Sequence, residues 1–455
     1  MSNVPVEFST STLIFPLASQ NFSHTLSSIR RSTLSISNRL TSCKRDSIFV
    51  QSVAEHLNLP LVANERCGSW YIPLDKKAGS TYFKSTDGHT GQWKFSLRRL
   101  NLQVLDIIGQ NGGCIIVDST RRGKSMPDAL SKTVPMWCAV INRCLFPAST
   151  ECHALSTPPE AVGESEHAQM EAKLDSFVTD FKELDIDVPV LRMKLKKPLK
   201  VDWVYPNSPS FPDTTLSENY NYAILCTASH RVHGAEASEN GYIQGAGDDS
   251  EGWSHGLTPP LFWANQELLF KTEEANLPGL IEKLKQEDQQ NNKSTTATLI
   301  KPTPNIFLGT LDTLTGTTQF DIIIACSESP LPVSSQENFL ELRCASGKLG
   351  SKDLRKGLAQ VRDFIVSTSA KLGKSTPKIL ITCPTGKDLS VGVTLMVLSL
   401  FFSNEGIFSP TPLEGNGITK AFIRQRLAWI TLSNPDSNPS RSTLQAINSV
   451  LMQRP

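Results

Sequence analysis

Residues that bind phosphate are concentrated directly after one apolar segment of the chain. Residues 114–117 are apolar and largely β-branched, which predicts a buried strand. Asp118 ends this strand, and the next positions supply two hydroxyls, three cations and a glycine: Ser119, Thr120, Arg121, Arg122, Gly123 and Lys124. Hydroxyls and backbone N–H groups hydrogen-bond phosphate oxygens, and cations add charge-assisted bonds. The pattern predicts an anion-binding loop at the carboxyl end of a strand, where open α/β sheets bind ligands.

Two other interpretations of this loop compete with the first. Gly123, Lys124 and Ser125 resemble the end of a Walker A motif. That motif requires a glycine five positions before Gly123, and Asp118 stands there, so nucleoside triphosphate binding through it is excluded. The remaining alternative is a surface turn whose charges are solvated.

A polar loop at residues 85–91 precedes apolar residues with helical spacing. Thr90 suits an N-cap, and glycines at 112 and 113 suit a helix end, so the pattern predicts a helix between them. Arg98 and Arg99 would lie on neighbouring faces of this helix. A further strand is expected at residues 70–72.

Residues 192–200 carry five cations in nine positions and are followed by Trp203 and Tyr205. A basic run beside aromatic residues is typical of a surface that binds a nucleic-acid backbone. Lysines also protect exposed edge strands, so a solvated edge strand is an equal alternative. The candidate RNA-binding residues of the chain are Arg98, Arg99, Arg192, Lys194, Lys196, Lys197 and Lys200.

A glycine-rich acidic loop occupies residues 244–253. Its adjacent carboxylates, Asp248 and Asp249, have the chemistry to bind Mg²⁺ directly or through water. The alternative is a capped, exposed turn, which the spacing alone favours slightly.

The composition excludes several classes of protein. The chain has 455 residues, and 45 Lys and Arg nearly balance 44 Asp and Glu. Any nucleic-acid surface must therefore be a local patch, and no DNA partner is expected. No apolar run approaches a membrane span, and the amino-terminal region shows no secretory signal. The ten cysteines form no CxxC pair, which is typical of a reducing compartment, so we expect a cytoplasmic protein.

The order of apolar and polar segments predicts an α/β protein of two domains. Residues 1–19 form a loosely ordered lead-in, and residues 20–283 form a mixed α/β domain. Residues 284–298 are polar and suit a linker. From residue 299 short strands alternate with helices, which predicts a second domain with a central sheet flanked by helices up to residue 455.

In the second domain, a strand at residues 378–382 meets a compact loop and an apolar helix, an arrangement that makes an anion cradle. The loop resembles the dual-specificity phosphatase signature His-Cys-x5-Arg-Ser/Thr, but Thr382 replaces the His and Leu389 replaces the Arg. Losing that Arg removes the main transition-state stabiliser. We predict a phosphate cradle without hydrolysis, and the alternative is a purely structural turn. The candidate cradle residues are Cys383, Gly386, Lys387, Asp388 and Ser390.

Five blocks together resemble the initiator tRNA phosphoribosyl transferase family of fungi and plants. They are residues 64–70, 85–101, 115–132, 244–253 and 386–390. The resemblance implies a transferase that uses 5-phosphoribosyl 1-pyrophosphate and a divalent metal such as Mg²⁺. Its acceptor would be the 2′-hydroxyl of adenosine-64 in the T-stem of cytoplasmic initiator tRNA, and the modification would keep that tRNA out of elongation. A non-catalytic tRNA-binding adaptor is the main alternative, and a working phosphatase through Cys383 is the weakest.

The resemblance also implies roles for the candidate residues. Catalysis and RNA binding would belong to residues 20–283. Arg121, Arg122 and Lys124 would bind donor phosphates, because the leaving pyrophosphate needs cations, and Lys124 is also a candidate catalytic residue. Ser119 and Thr120 would donate hydroxyl hydrogen bonds, and Asp118 would hold ribose hydroxyls or metal. Asp87 or His89 would accept the proton of the tRNA 2′-hydroxyl; His89 has the more suitable ordinary pKa, and a histidine that caps its own loop is the alternative.

Overall fold

The fold contains two separate five-stranded sheets, which confirms the predicted α/β class. The computed structural model describes residues 35–86, 91–208, 217–232, 241–291, 296–331, 337–345, 347–413 and 417–452. The predicted lead-in at residues 1–19 lies outside them. Within the described ranges, no helix combines the length and apolar character needed to cross a membrane.

All neighbouring strands of the first sheet are parallel. The strands, in the spatial order β2-β1-β3-β5-β4, are β1 (Leu61–Asn64), β2 (Lys77–Thr81), β3 (Gly113–Asp118), β4 (Leu199–Val204) and β5 (Asn221–Thr227). In the register, Asp118 at the end of β3 lies beside Thr227 at the end of β5. The carboxyl ends of the strands therefore meet along one edge of the sheet.

The first sheet is buried on both faces. Along β3, Cys114 and Ile116 contact one apolar cluster, whereas Ile115 and Val117 contact another. Helices cover a parallel sheet on both sides, so its strands are apolar throughout and do not alternate. The helices are α1 (Ile36–Leu57), α2 (Val104–Asn111), α3 (Val134–Leu145), α4 (Glu164–Glu171), α5 (Leu174–Lys182), α6 (Val188–Leu195), α7 (Pro259–Ala264), α8 (Gln266–Lys271) and α9 (Leu277–Asn291).

The second sheet is also mostly parallel, and only its first strand runs antiparallel to its neighbour. In the order β6-β7-β10-β8-β9 its strands are β6 (Thr298–Leu299), β7 (Ile306–Thr310), β8 (Ile322–Ser327), β9 (Phe339–Arg343) and β10 (Ile379–Cys383). The helices around it are α10 (Gly347–Leu372), α11 (Leu389–Phe401), α12 (Lys420–Ser433) and α13 (Arg441–Leu451).

The helix predicted between Thr90 and Gly112 is wrong for most of its length. Residues 92–103 contain no helix, and α2 begins only at Val104. Tertiary hydrogen bonds replace helical ones here: the indole of Trp137 donates to the carbonyl of Leu100 at 2.7 Å, and Asn101 accepts from the backbone N–H of Tyr82 at 2.8 Å. Asn101 also has a φ of 55°, which no α-helix permits.

Two further expectations also differ from the structure. Residues 70 and 71 belong to a short 3₁₀ helix, Gly68–Tyr71, and the neighbouring strand is Leu61–Asn64. Helix α9 continues to Asn291, through the first half of the stretch predicted as a linker. The exact domain boundaries stay a prediction.

The chain passes very close to β3 at Gly68. A Cβ atom added at Gly68 would lie 2.2 Å from the carbonyl oxygen of Val117, which belongs to the backbone and cannot yield easily. We expect Gly68→Ala to lower the free energy of unfolding by roughly 1–3 kcal/mol or more, as other overpacked cores do. Urea unfolding followed by circular dichroism measures this change.

Gly279 provides the matched control, because nothing lies within 4 Å of its added Cβ. Gly279→Ala should leave stability unchanged or raise it by up to about 1 kcal/mol, since Gly279 lies in α9 and Ala favours helices. Equal stabilities of the two variants would contradict the close approach at Gly68.

Candidate functional site

A buried ion pair occupies the carboxyl edge of the first sheet. Asp118 is completely buried, and Arg66 binds both of its carboxylate oxygens, Nη2 at 3.0 Å from Oδ1 and Nε at 3.2 Å from Oδ2. Asn64 at the end of β1 donates to Oδ2 at 2.8 Å. The thiol of Cys67 and the N–H of Ser119 donate to Oδ1. Burial raises the pKa of Cys67 well above its ordinary value, so the thiol keeps its proton for this bond.

Arg66 connects three loops through one guanidinium group. Besides Asp118, it contacts the carbonyl of Ser119 and places Nη1 3.1 Å from Oδ2 of Asp248 in the acidic loop. Sequence reasoning missed Arg66 as a functional residue, although it lies in one of the blocks that carry the family resemblance. Because Asp118 is occupied by five donors, it can contact a ribose hydroxyl or a metal only if Arg66 moves. In this structure Asp118 positions Arg66.

Three buried polar atoms near this edge have no hydrogen-bond partner in the described part of the chain. They are Oγ of Ser119, Oγ1 of Thr227 and Oδ1 of Asp248. Burial raises the pKa of Asp248, and Arg66 and Cys67 act against this rise. Unpartnered buried atoms are rare in folded proteins, so these atoms mark positions for a ligand, an ion or water.

The fit of a divalent cation depends on Asp248. The described residues contain no cluster of three or more His, Cys, Asp or Glu that could hold a metal alone. Mg²⁺ is usually bound by one or two carboxylates together with substrate phosphates, and the free Oδ1 of Asp248 suits such a site. Asp249 is exposed and forms an ion pair with Arg121 at 2.5 Å.

The predicted anion-binding loop, residues 119–124 and here called the anion loop, contains a tight turn at Arg122 and Gly123. Both residues have positive φ angles, 57° and 71°, and Lys124 N donates to the carbonyl of Arg121 at 3.3 Å. Positive φ at both central residues is typical of a type I′ turn. Gln244 fixes this turn from the acidic loop, since it accepts from Gly123 N at 3.0 Å and donates to the carbonyl of Lys124 at 2.8 Å.

The three cations of the loop are divided between two locations. Arg121 turns to the acidic loop, whereas Arg122 and Lys124 line a cavity of about 570 Å³. The same cavity is also lined by two further cations, Lys132 and Arg231, by three carboxylates, Asp128, Glu160 and Glu166, and by hydroxyl groups that include Thr86. Lys124 lies 3.5 Å from Asp128. We call this space the loop cavity.

The candidate bases Asp87 and His89 lie outside the described residues, so their roles stay predictions. Thr86, which immediately precedes them, donates to Asp128 at 3.0 Å and lines the loop cavity. Thr120 is held by Ser229, which contacts both its N–H and its carbonyl.

The basic run at residues 192–200 lies away from the site. It ends helix α6 and begins β4, so it occupies the amino edge of the sheet, opposite the anion loop. Arg192 donates to the last carbonyl of α3 at Leu145, and Lys194 pairs with Asp106. The remaining three cations are exposed: Lys196, Lys197 and Lys200. β4 is an edge strand, as the alternative interpretation predicted.

The predicted cradle of the second domain is formed, but protein partners occupy its polar groups. Cys383 ends β10, is 1% exposed, and places Sγ 3.0 Å from Oγ of Ser390. Asp388 turns to helix α13 and accepts from Ser440 N at 2.8 Å. Lys387 lies 3.3 Å from Asp436. Gly386 makes the tight turn with a φ of 66°. Whether this loop binds phosphate stays a prediction.

The fold and the site define an α/β protein with two sheets and a cluster of cations and buried polar atoms at the carboxyl edge of the first. The chain belongs to the Rit1 family. The family model described as Rit1 N-terminal domain matches residues 29–286, and the model described as Rit1 DUSP-like domain matches residues 338–451. The resemblance derived from the five sequence blocks is confirmed.

Two relatives resemble nearly the whole chain. An uncharacterised protein of Schizosaccharomyces pombe is 37% identical over 91% of this chain and 94% of its own. The tRNA A64-2′-O-ribosylphosphate transferase of Saccharomyces cerevisiae is 32% identical over 93% of each chain. Both sheet-containing regions are therefore shared with these relatives.

Solved phosphatase structures resemble about a third of the chain. The crystal structure of DUSP15 is 18% identical, covers 35% of this chain and 89% of that one, and has a TM-score of 0.26. The PTP-2 phosphatase of Cydia pomonella is 13% identical, covers 34% and 90%, and also has a TM-score of 0.26. The phosphatase-like character of the second domain rests on the family model and not on these low scores.

A double-mutant cycle tests the pairing of Arg66 with Asp118. Arg66→Met leaves Asp118 buried without its cation, and breaking a buried pair in this way typically costs about 3–5 kcal/mol. Adding Asp118→Asn to Arg66→Met should cost little, because the carboxylate that lost its partner is gone. Free energies of unfolding in urea give the coupling energy, and additive effects of the two changes would contradict the pairing.

Helix α1 is tied to the loop after β5 by Asp46. This buried carboxylate accepts from the hydroxyl of Tyr242 at 2.9 Å and lies 3.2 Å from Nδ1 of His230. Burial raises the pKa of Asp46 to about 6, although His230, Tyr242 and Arg45 act against this rise.

The raised pKa predicts how stability changes with pH. The folded state holds the Asp46 proton more tightly than the unfolded state, whose pKa is near 3.8. The contribution is therefore complete below pH 3.8 and is lost as the pH rises through about 6. About two pKa units correspond to roughly 3 kcal/mol. Asp46→Asn should remove this slope in urea unfolding between pH 4 and 8, whereas the exposed control Asp75→Asn should keep it.

Proposed function

We propose that this protein transfers a 5-phosphoribosyl group from phosphoribosyl pyrophosphate to the 2′-hydroxyl of adenosine-64 of initiator tRNA, releasing pyrophosphate. The observation that carries the proposal is the 32% identity, over 93% of both chains, to a protein named tRNA A64-2′-O-ribosylphosphate transferase. The anion loop supports it, since two of its cations, Arg122 and Lys124, line a cavity on the edge where parallel α/β sheets bind ligands.

The reaction needs anion binding at two ends of the donor. The bond between the anomeric carbon and the pyrophosphate oxygen breaks, and a bond to the tRNA 2′-oxygen forms as its proton leaves. Positive charge develops on the ribose and negative charge on the pyrophosphate, so fixed cations beside the leaving group lower the barrier. Arg122 and Lys124 would take this role, which is supported by their position in the lining of the loop cavity.

Other residues of the edge orient these cations. Gln244 and Arg231 bind the backbone of the turn, so the loop needs no rearrangement to present its side chains. The hydroxyl of Ser119, which is buried without a partner, would donate to a donor phosphate or ribose oxygen. Arg66 binds Asp118 before the anion loop and Asp248 in the acidic loop, so it holds these two loops together.

A divalent cation, Mg²⁺ in our proposal, would neutralise part of the donor's phosphate charge. Asp248 would contact it through its free Oδ1, because Oδ2 is engaged by Arg66 and Arg121. The protein would act in the cytoplasm, where initiator tRNA is used, and the added ribosyl phosphate would keep that tRNA out of elongation.

A non-catalytic tRNA-binding adaptor is the second candidate function. The observation that favours it is the phosphatase-like loop with Leu389 in place of the phosphate-clamping Arg, since a domain without hydrolysis can still bind RNA phosphates. The adaptor predicts salt-dependent binding of tRNA and no affinity for phosphoribosyl pyrophosphate.

Transfer of labelled ribosyl phosphate to initiator tRNA distinguishes the two candidates. Lys124→Ala should lower turnover by about 10²-fold, because one cation beside the leaving group is lost, and should leave stability unchanged. A matched control is Lys271→Ala, since Lys271 is also exposed and also pairs with an acid four residues away. A tRNA with 2′-deoxyadenosine at position 64 should accept no label. Binding of tRNA without any transfer by the wild type would overturn the transferase.

A further inference from the structure

An irregular segment of the first domain joins it to the second. Residues 91–103, here called the strap, place Arg98 Nη1 3.4 Å from the carbonyl of Pro439 and Arg99 against the side chain of Asn438. Asn438 in turn donates from its backbone N–H to the carbonyl of Lys387 in the phosphatase-like loop at 2.8 Å. The strap therefore lies beside that loop, at the contact between the two domains.

The groove on one side of the strap is rich in cations. It has a volume of about 520 Å³, is lined by the aromatic rings of Tyr82 and Trp137, and contains five cations: Lys84, Lys94, Arg98, Arg99 and Arg441. Among the described residues that line it there is no Asp or Glu. A groove of one charge with low-dielectric walls concentrates positive potential and attracts anions. We call it the cationic cleft.

Arg99 is held in the cleft without an anion. Its guanidinium stacks 3.3 Å above the ring of Tyr82, and its Nη1 is buried with no hydrogen-bond partner. Burial lowers its pKa, because water is removed and no described carboxylate replaces it. Nη2 contacts Asn438, but Nη1 is a buried donor without a bond, which is costly, so the arrangement suits an anionic ligand that completes that bond.

Arg441 enters the same cleft from the second domain. It is the first residue of helix α13, where the helix dipole disfavours a cation, and it is exposed. None of the described carboxylates forms an ion pair with it. Arg441 is therefore not favoured by the dipole of its own helix, and it lines the cleft.

On the basis of the proposed function, we infer that the cationic cleft binds the sugar-phosphate backbone of the acceptor tRNA. Arg99 supplies a stacked, desolvated fork from the first domain, and Arg441 completes the cleft from the phosphatase-like domain. A phosphodiester presents two non-bridging oxygens, which match the guanidinium fork. The cleft and the loop cavity share Thr86, so RNA in the cleft lies next to the predicted donor site. The phosphatase-like domain thus acts as one half of an RNA clamp.

Charge reversal at Arg441 tests this inference. Arg441→Glu should bind initiator tRNA roughly tenfold more weakly, and log Kd should depend on log salt with a slope shallower by about one. Folding should be kept, because an acid at the first position of a helix is favoured by its dipole. In transfer assays the KM for tRNA should rise, and the KM for phosphoribosyl pyrophosphate should stay unchanged.

Lys356→Glu is the matched control, since Lys356 is an exposed cation on α10 away from the cleft. The inference is overturned if Arg441→Glu binds tRNA like the wild type, or loses no more affinity than Lys356→Glu. If wild type transfers label in that case, the transferase stands and only the clamp fails. If wild type never transfers label but Arg441→Glu still weakens binding selectively, the transferase fails and the clamp stands.

Discussion

The buried pair of Arg66 and Asp118 is the interaction on which the site depends. One guanidinium group binds the end of β3 and the acidic loop, and it is itself carried by the loop after β1. Removing either charge would leave the other buried without compensation, which costs more than most single contacts in a protein. The three loops therefore cannot move independently. Because the anion loop directly follows Asp118, its position at the edge of the sheet is fixed as well.

This arrangement explains how neighbouring cations come to serve different partners. Two successive residues with positive φ, Arg122 and Gly123, reverse the chain within a turn that Gln244 holds. Arg121, on one side of the turn, contacts the acidic loop, and Lys124, on the other side, faces the loop cavity. Asp248 is consequently shared between two arginines at Oδ2 and keeps Oδ1 free. The edge thus offers cations and one available carboxylate oxygen side by side.

The second domain has the sheet and loop of a phosphatase, but the polar groups of that loop bind other residues of the protein. Asp388 accepts from the backbone N–H of Ser440, the residue just before helix α13, and Cys383 is shielded beside Ser390. With Leu389 in the place of the phosphate-clamping Arg, the loop lacks the group that would stabilise transferred phosphate. Ser440 in turn caps α13 by accepting from the N–H of Thr443, so the bond from Ser440 to Asp388 ties the start of α13, and with it Arg441, to the phosphatase-like loop. A phosphatase-like loop that does not act on a phosphate can instead position Arg441 in the lining of the cationic cleft.

The sequence by itself determined the α/β class, the strand that ends at Asp118, the loop of hydroxyls and cations after it and the degenerate phosphatase loop. Each of these features follows from the pattern of consecutive residues. Hydrophobic period and turn chemistry are local, so they can be read without the fold. Only the tertiary structure decided the rest. Arg66 binds Asp118 and Asp248, which are 52 and 182 positions away in the sequence. The residues that flank Arg66 in the sequence do not distinguish it from a solvated arginine. The strap has helical spacing, yet it is irregular, because buried hydrogen bonds to Trp137 and Tyr82 replace those of a helix. Pairings between distant residues depend on which strands become neighbours, and this information exists only in the folded chain.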